Sequence, residues 1–407
     1  MTQLTLDLDA STWTRVKLGA VVNRLTNGYV GPTRGLYQER GVPYLLARHV
    51  KSNRLTFDGK TFVTHEFNQK NKKSILKTGD VLLVQSGHIG ESAVVTPEHE
   101  GHNCHAMIVI SPKEDKLDGK FLSWYFSSHT GRSAFRRIQT GITIEHLNCR
   151  DVKEIEIPLP PLEEQRRIAA ILDKADAVRH KRQEVIALTE ELLRSAFLEM
   201  FGDPVTNPKG WDVIPLGDIS KVKGGLQVTS KRKDHPLEVP YLRVANVYRD
   251  QLVLDEIKLI RVTPEELERT ALRTGDLLIV EGHGNSQEIG RSSVWDGSIP
   301  NCTHQNHLIR VTLDSKRAEP TYISAFLNSS GGRRQLIQFG KTTSGLNTIS
   351  TSNVKATKVL LPPLSEQKKY AQLKQKTAAS LSCHQRYFQD TNALFNSLLQ
   401  RAFRGEL

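Results

Sequence analysis

The chain repeats itself once, from end to end, and this duplication limits its possible folds more than any other feature. Trp13–Gly19 (WTRVKLG) returns as Trp211–Gly217 (WDVIPLG), Val42–Leu45 (VPYL) as Val239–Leu242, and Leu76–Val84 (LKTGDVLLV) as Leu272–Val280 (LRTGDLLIV). Ile89-Gly90 is matched by Ile289-Gly290, Asn103-Cys104 by Asn301-Cys302, and Ile157–Gln165 (IPLPPLEEQ) by Val359–Gln367 (VLLPPLSEQ). The offset drifts only between 196 and 202 residues, so the correspondence runs in order through all 407. A period this long signals duplicated domains, not a solenoid of short repeats. The recurring Asn-Cys pair predicts a shared structural role at equivalent places.

Each copy has two parts. The first is rich in short β-branched runs (Val81–Val84, Ala93–Val95, Met107–Ile110, Leu277–Val280 and Leu308–Val311) punctuated by Gly, Pro, Asn and Asp. These read as strands joined by long loops, with helices near 119–128 and 320–328. The second part is one long helix. Pro160-Pro161 and Pro362-Pro363 suit a helix entry, where proline's missing N–H costs nothing, and 162–201 then holds no Pro or Gly. The boundaries predicted are 1–158, 159–202, 203–360 and 361–407.

Apolar residues along the first helix follow a heptad-like stripe: Ile168, Ile171, Ala175, Val178, Val185, Thr189, Leu192 and Ala196. Tyr370, Leu373, Tyr387, Phe388, Leu394, Phe395, Leu398 and Leu399 repeat it in the second, with Lys374, Thr377, Ser380, Cys383 and His384 weakening the seam. Each helix would be about 58 Å long. A stripe of that length must be buried, and the economical partner is the other helix of the same chain. The predicted fold class is therefore α+β: two similar β-rich domains separated by two long antiparallel helices in an intramolecular coiled coil, with pseudo-twofold symmetry. Ile168, Ile171, Val178, Val185 and Leu192 are expected to pair with Tyr370, Leu373, Tyr387, Leu394 and Leu398.

The formal net charge is +12. Residues 161–200 carry −1 and 364–403 carry +4, which leaves +9 for the rest. Excess positive charge on the globular parts points to a polyanion, nucleic acid or an anionic membrane surface. No apolar run is long enough to cross a bilayer, the first residues lack the pattern of a secretory signal, and four scattered cysteines without a CxxC pair fit a reducing cytoplasm. Nucleic acid is the better partner.

The run 158–173 (PLPPLEEQRRIAAILD) resembles the start of the central conserved region of type I restriction-modification specificity subunits. The run 361–367 resembles the start of their distal conserved region, and Thr-Gly-Asp before a strand and a Gly-bearing loop is similar to the core of their target recognition domains. The closing segment Leu399–Leu407 fits the usual end of that family, and the likeness covers essentially the whole chain. The resemblance implies a subunit that binds bipartite double-stranded DNA, one half-site per recognition domain, without a catalytic site of its own. The helices would set the unread gap and dock two methyltransferase subunits, with restriction (motor-nuclease) subunits joining the full complex. S-adenosylmethionine, ATP and Mg would belong to those partners, with no cofactor or metal on this chain and no membrane contact.

Base-contacting residues can be proposed only from chemistry, since Asn and Gln bond adenine, Arg pairs with guanine and Glu accepts from cytosine. In the first copy these are Arg48, His49 and Asn53, then Ser86 and His88, then His102, Asn103 and His105. In the second they are Arg243 and Asn246, then Glu281, His283, Asn285 and Gln287, then His304, Gln305 and Asn306. Lys51, Arg54, Arg132, Arg136, Arg137, Lys231, Arg232, Lys233, Arg333, Arg334, Lys341, Thr342, Thr343 and Ser344 are phosphate-contact candidates. The post-strand loops differ in length (87–90 against 282–290), which predicts different half-sites.

His99, His102 and His105 lack the helical carboxylate–histidine spacing of an HExxH metal site. No GxxxxGK(S/T) loop is present for an ATP motor, and Phe201–Pro204 is not the Asn/Asp-Pro-Pro-aromatic segment of an amino-methyltransferase. Two other classes remain open on sequence: a self-contained modification enzyme, or a coiled-coil scaffold whose basic heads bind DNA without sequence preference. A specificity part of a different modification enzyme is a further variant.

Overall fold

The computed structural model describes residues 13–138, 146–343 and 346–407. The chain divides into two compact units, Met1–Glu184 with Gln385–Leu407, and Val185–His384. Each holds one globular head and halves of both long helices.

In the first unit four antiparallel strands lie in the order Val22–Asn27, Met107–Pro112, Val81–Val84, Ser92–Val94. Val81, Leu83, Ile108 and Ile110 face a core shared with the helix Gly119–Ser127 and with Ile168, Ala169 and Leu172 of the first long helix. Leu82, Val84, Met107 and Val109 face a second core with Leu45, Val50, Leu76 and Cys104. Side chains alternate across a strand, so burial on both faces explains why Val81–Val84 is apolar throughout. The second unit repeats this plan with Ser220–Gly224, Leu308–Leu313, Leu277–Val280 and Ser292–Val294.

The recurring motifs have identifiable work. Gly79 and Gly275 take φ +87° and +90°, a turn that favours glycine, just before a core strand. The following aspartates accept backbone N–H bonds, Asp80 from Lys77 and Asp276 from Arg273, each at 2.8 Å. Asp80 also meets Arg24 and Ser111, and Asp276 meets Thr312. The glutamine of Pro-Pro-Leu-x-Glu-Gln is buried in both copies. Gln165 accepts from the Asp118 N–H (2.8 Å) and donates to the Lys116 and Pro160 carbonyls. Gln367 does the same with Glu319, Arg317 and Pro362. It fastens the start of each long helix to a head.

Those helices run Leu162–Phe201 and Leu364–Ala402. Within the first unit, Arg179 lies over the Phe395 ring (4.5 Å), Arg182 over Tyr387 (5.1 Å), and Arg167 donates to the Leu407 carbonyl (2.7 Å). Within the second, Tyr370 packs against Phe197 (5.5 Å) and Phe201 (5.8 Å). Numbers rise along one helix as they fall along the other, so the pairing is antiparallel and intrachain.

The contact stripe differs from the expected one. Ile168 and Tyr370 are buried and Ile171, Leu373 and Leu398 half-buried, but Val178, Val185, Leu192, Tyr387 and Leu394 are exposed. Burial is strongest near the helix ends, where Leu172, Phe197, Phe201, Phe395, Leu399 and Ala402 are covered by a head. Further along, the buried Asp176 with half-buried Arg179 and Arg182 occupies the seam, and Val178, Val185 and Leu192 turn to solvent while Ala175, Thr189 and Ala196 stay half-buried.

The paired Asn-Cys motifs are also not equivalent. Tyr44 and Leu45 pair in parallel with Asn103 and Cys104, whereas Tyr241 and Leu242 pair with Thr303 and His304. The longer loop of the second copy shifts the offset from 196 to 200 before this point, so Cys104 corresponds to His304 and Asn301-Cys302 lies two residues early.

Candidate nucleic-acid interface

Strand register decides which candidate residues meet. Val84 pairs with Met107, and Val280 with Leu308. The loop leaving one strand and the loop entering the other therefore share one end of each four-stranded sheet. In the first unit this end carries Ser86, exposed His88 and half-buried His105. Ser86 is bridged to His146, and His105 to Tyr29. His146 carries no motif and was invisible in sequence.

In the second unit the same end carries Glu281, His283, Asn285, Gln287, Gln305 and Asn306. Here Gly282–His283 pairs with Leu346–Thr348, which pairs in turn with Lys341–Thr343. The segment read as a phosphate-facing turn is thus a hairpin buttressing the loop. Only the backbone of Lys341, Thr342 and Thr343 is described, and Ser344 lies outside the described residues. Asn285 accepts from the Gln287 N–H (3.0 Å), and Asn347 donates to the Gly284 carbonyl (3.1 Å). Burial raises the ionisation of the Glu281 carboxyl above its usual range, partly offset by His307 at 3.8 Å. Exposed amides around a half-buried carboxylate form a surface able to accept from and donate to base edges.

Other candidates hold the fold instead. His49 is buried; its Nδ1 accepts from the Leu46 N–H (3.0 Å) and its Nε2 meets Asp58 (3.1 Å). Asn246, also buried, caps the matching turn by accepting from Arg243 N–H and donating to the Val253 carbonyl. Asn103 is fully buried and donates to Asn68 Oδ1 (2.8 Å). Asn53 sits at φ +58° with its amide on Ser123 and Ser127, and Arg54 reaches Asp176 (3.3 Å). Arg48 pairs with Asp58 and Arg243 with Glu256, each at 3.2 Å. His102 packs on His99 and Phe57, and burial lowers its pKa to about 4. Burial removes His49, Asn103, Asn246 and His304 from any surface, and the amide contacts tie Asn53 to the head helix; loop polarity had suggested otherwise.

Among the phosphate candidates, Arg132 pairs with Glu91 (2.7 Å) and Arg232 with Glu266 (2.8 Å). Lys51, Arg136, Arg137, Lys231, Lys233 and Arg334 are exposed, with no carboxylate partner among the described residues. Arg333 meets Gln287. No group of three His, Cys, Asp or Glu side chains among the described residues is placed to hold a metal, and no helix there is long and apolar enough to cross a membrane.

His304 has a consequence for stability. Burial, and then the Arg310 charge, lower its pKa to about 3. The unfolded chain takes up this proton as pH falls below about 6.5 while the folded chain refuses it, so stability drains away between there and about pH 3. His304→Cys, the residue at the equivalent place in the first unit, should spare the chain about 2–3 kcal/mol of loss at about pH 4.5. Melting curves at neutral and acid pH check this; equal acid losses in both proteins would contradict it.

A family model described as the type I restriction modification DNA specificity domain matches residues 10–188 and again 208–378. The specificity subunit of the type I restriction enzyme EcoKI from Escherichia coli K12 is 25% identical over 394 residues, covering 90% of this chain and 82% of that protein. The StySPI specificity subunit from Salmonella potsdam is 22% identical over 396 residues, covering 91% and 83%. Among solved structures, a type I restriction-modification S subunit from M. genitalium aligns with a TM-score of 0.59 at 15% identity over 96% of each chain, a likeness of fold.

Proposed function

Because this chain belongs to the type I restriction-modification DNA specificity family, we propose that it reads a bipartite DNA target, one half-site per unit, for such a system. The observation that carries the proposal is one scaffold bearing two different loop sets at the same sheet end. Ser86 and His88 on a short loop in the first unit answer to Glu281, His283, Asn285 and Gln287 on a longer, buttressed loop in the second. Unlike donors and acceptors on a shared frame are what distinguishing two base sequences requires.

The long helices would set the unread gap and dock two methyltransferase subunits. Val178, Tyr387 and Leu394 in the first unit, and separately Val185, Leu188 and Leu192 in the second, supply uncovered apolar surface for that docking. The chain acts without catalysis, in the cytoplasm, and S-adenosylmethionine, ATP and Mg are handled by the methyltransferase and restriction subunits. Purified chain given S-adenosylmethionine should methylate nothing, and adding the methyltransferase subunits should yield methylation at one bipartite motif. Methylation by the chain alone would establish a self-contained enzyme. Equal affinity for all duplexes in competition would establish a scaffold without sequence preference.

A further inference from the structure

The second unit carries an arginine cluster with no counterpart among the described residues of the first. Arg249 and Arg333 both donate through Nη2 to one atom, the Gln287 backbone carbonyl oxygen. Arg333 also donates to Gln287 Oε1 (3.2 Å), and Arg249 meets Glu288 (3.4 Å). A third guanidinium, Arg291, is buried, pairs with Glu288 (2.9 Å), donates to the Val244 carbonyl (2.9 Å) and stacks on Tyr248 (4.6 Å). Three cations thus converge on a loop segment whose one carboxylate is Glu288.

Two features mark this as more than a loop clamp. Arg249 Nη1, Arg291 Nε and Arg333 Nε are shielded from solvent and have no acceptor among the described residues. Desolvated guanidinium N–H groups without acceptors are costly, and like charges sharing one carbonyl repel, unless an anion joins them. Burial and the Arg333 charge beside it pull Arg249's ionisation below its usual range. The first unit offers a comparison at the same places. There Arg132 takes the Arg333 position and pairs with Glu91 (2.7 Å), which stands where Arg291 does. Ser52 replaces Arg249, its N–H donating to Glu91 at 2.7 Å. That charge is neutralised within the fold, whereas the second unit is left two positive charges in excess.

We propose that Arg249 and Arg333, braced by Arg291, form a seat for a phosphodiester of the DNA backbone, present on the second unit alone. The seat rests on the reading of this chain as DNA-binding. It anchors the loop that carries Asn285 and Gln287, so the backbone contact and the base-reading side chains share one short segment. The second unit therefore grips its half-site with more electrostatic force than the first.

The test is duplex-binding affinity of the full chain against salt concentration. Each neutralised phosphate contributes about 0.9 to the slope of log affinity against log salt. Arg249→Gln and Arg333→Gln should each flatten the slope by about 1, Arg333→Lys should restore it, and Arg132→Gln in the first unit should leave it unchanged. Melting curves confirm that each variant is folded. Unchanged slopes in folded Arg249→Gln and Arg333→Gln overturn the seat, as does an equal flattening in Arg132→Gln. A free inorganic anion is the other source of the same chemistry: if phosphate raises the wild-type melting temperature but the DNA slopes do not change, the DNA assignment fails. Sequence preference is read separately, by competition with unrelated duplexes. A flattened slope without preference supports the seat while removing half-site reading.

Discussion

Phe201→Ala should lower the stability of the second unit by about 3–5 kcal/mol, a fall in melting temperature on the order of 10 °C for a domain of this size. Phe201 closes the first long helix and is fully buried. Its ring meets Tyr322 of the head (4.6 Å), Phe197 (5.1 Å) and Tyr370 of the second long helix (5.8 Å). Truncation would open a cavity where three elements join, and close-packed aromatic rings cannot collapse to fill it. Leu192, on the same helix, is exposed. Leu192→Ala should change the melting of the isolated chain by no more than about 0.5 kcal/mol. Scanning calorimetry separates the two; a Phe201→Ala chain that melts like wild type would show that the helix end is not held by this cluster.

Asn285→Ala combined with Gln287→Ala should reduce base discrimination in one half-site by about 10- to 100-fold, leaving the other half-site as it was. A well-placed amide–adenine pair contributes about 1–3 kcal/mol of discrimination. Both side chains are exposed at the loop tip, where Asn285 accepts from the Gln287 N–H and Gln287 Oε1 from Arg333, but two further contacts hold the loop path. Gly282–His283 pairs with Leu346–Thr348, and Arg249 and Arg333 grasp the Gln287 carbonyl, which the substitutions retain. Selection from a randomised duplex library gives the preference at each position. Equal relaxation of both half-sites, or none, would contradict the assignment of this loop to one half-site.

The duplication and the long helices were legible in sequence because each rests on many residues. Two strands of four consecutive apolar residues and a forty-residue stretch without Pro or Gly leave few folds open. Gln165 and Asp80 recur because each satisfies backbone groups at a junction that both copies must build. The facing of the helices was not legible. A heptad pattern marks an apolar stripe but not what covers it, and Val178, Val185 and Leu192 remain exposed in the chain alone. Loop polarity misled for a related reason: His49 and Asn246 look like base readers, yet both cap a tight turn through backbone bonds. The Asn-Cys recurrence was a coincidence that only strand register exposed. The arginine cluster was hidden because Arg249, Arg291 and Arg333 are scattered along the chain and meet only through the path of the loop.

Two similar heads on one chain, reading two different short sequences, should leave a bipartite pattern of methylation. The most direct measurement is a single-molecule methylation map of DNA exposed to the chain assembled with methyltransferase subunits. One motif made of two dissimilar half-sites, separated by a gap of fixed length and free sequence, is the expected result. A single uninterrupted motif, a palindrome with identical halves, or methylation without any motif would contradict it.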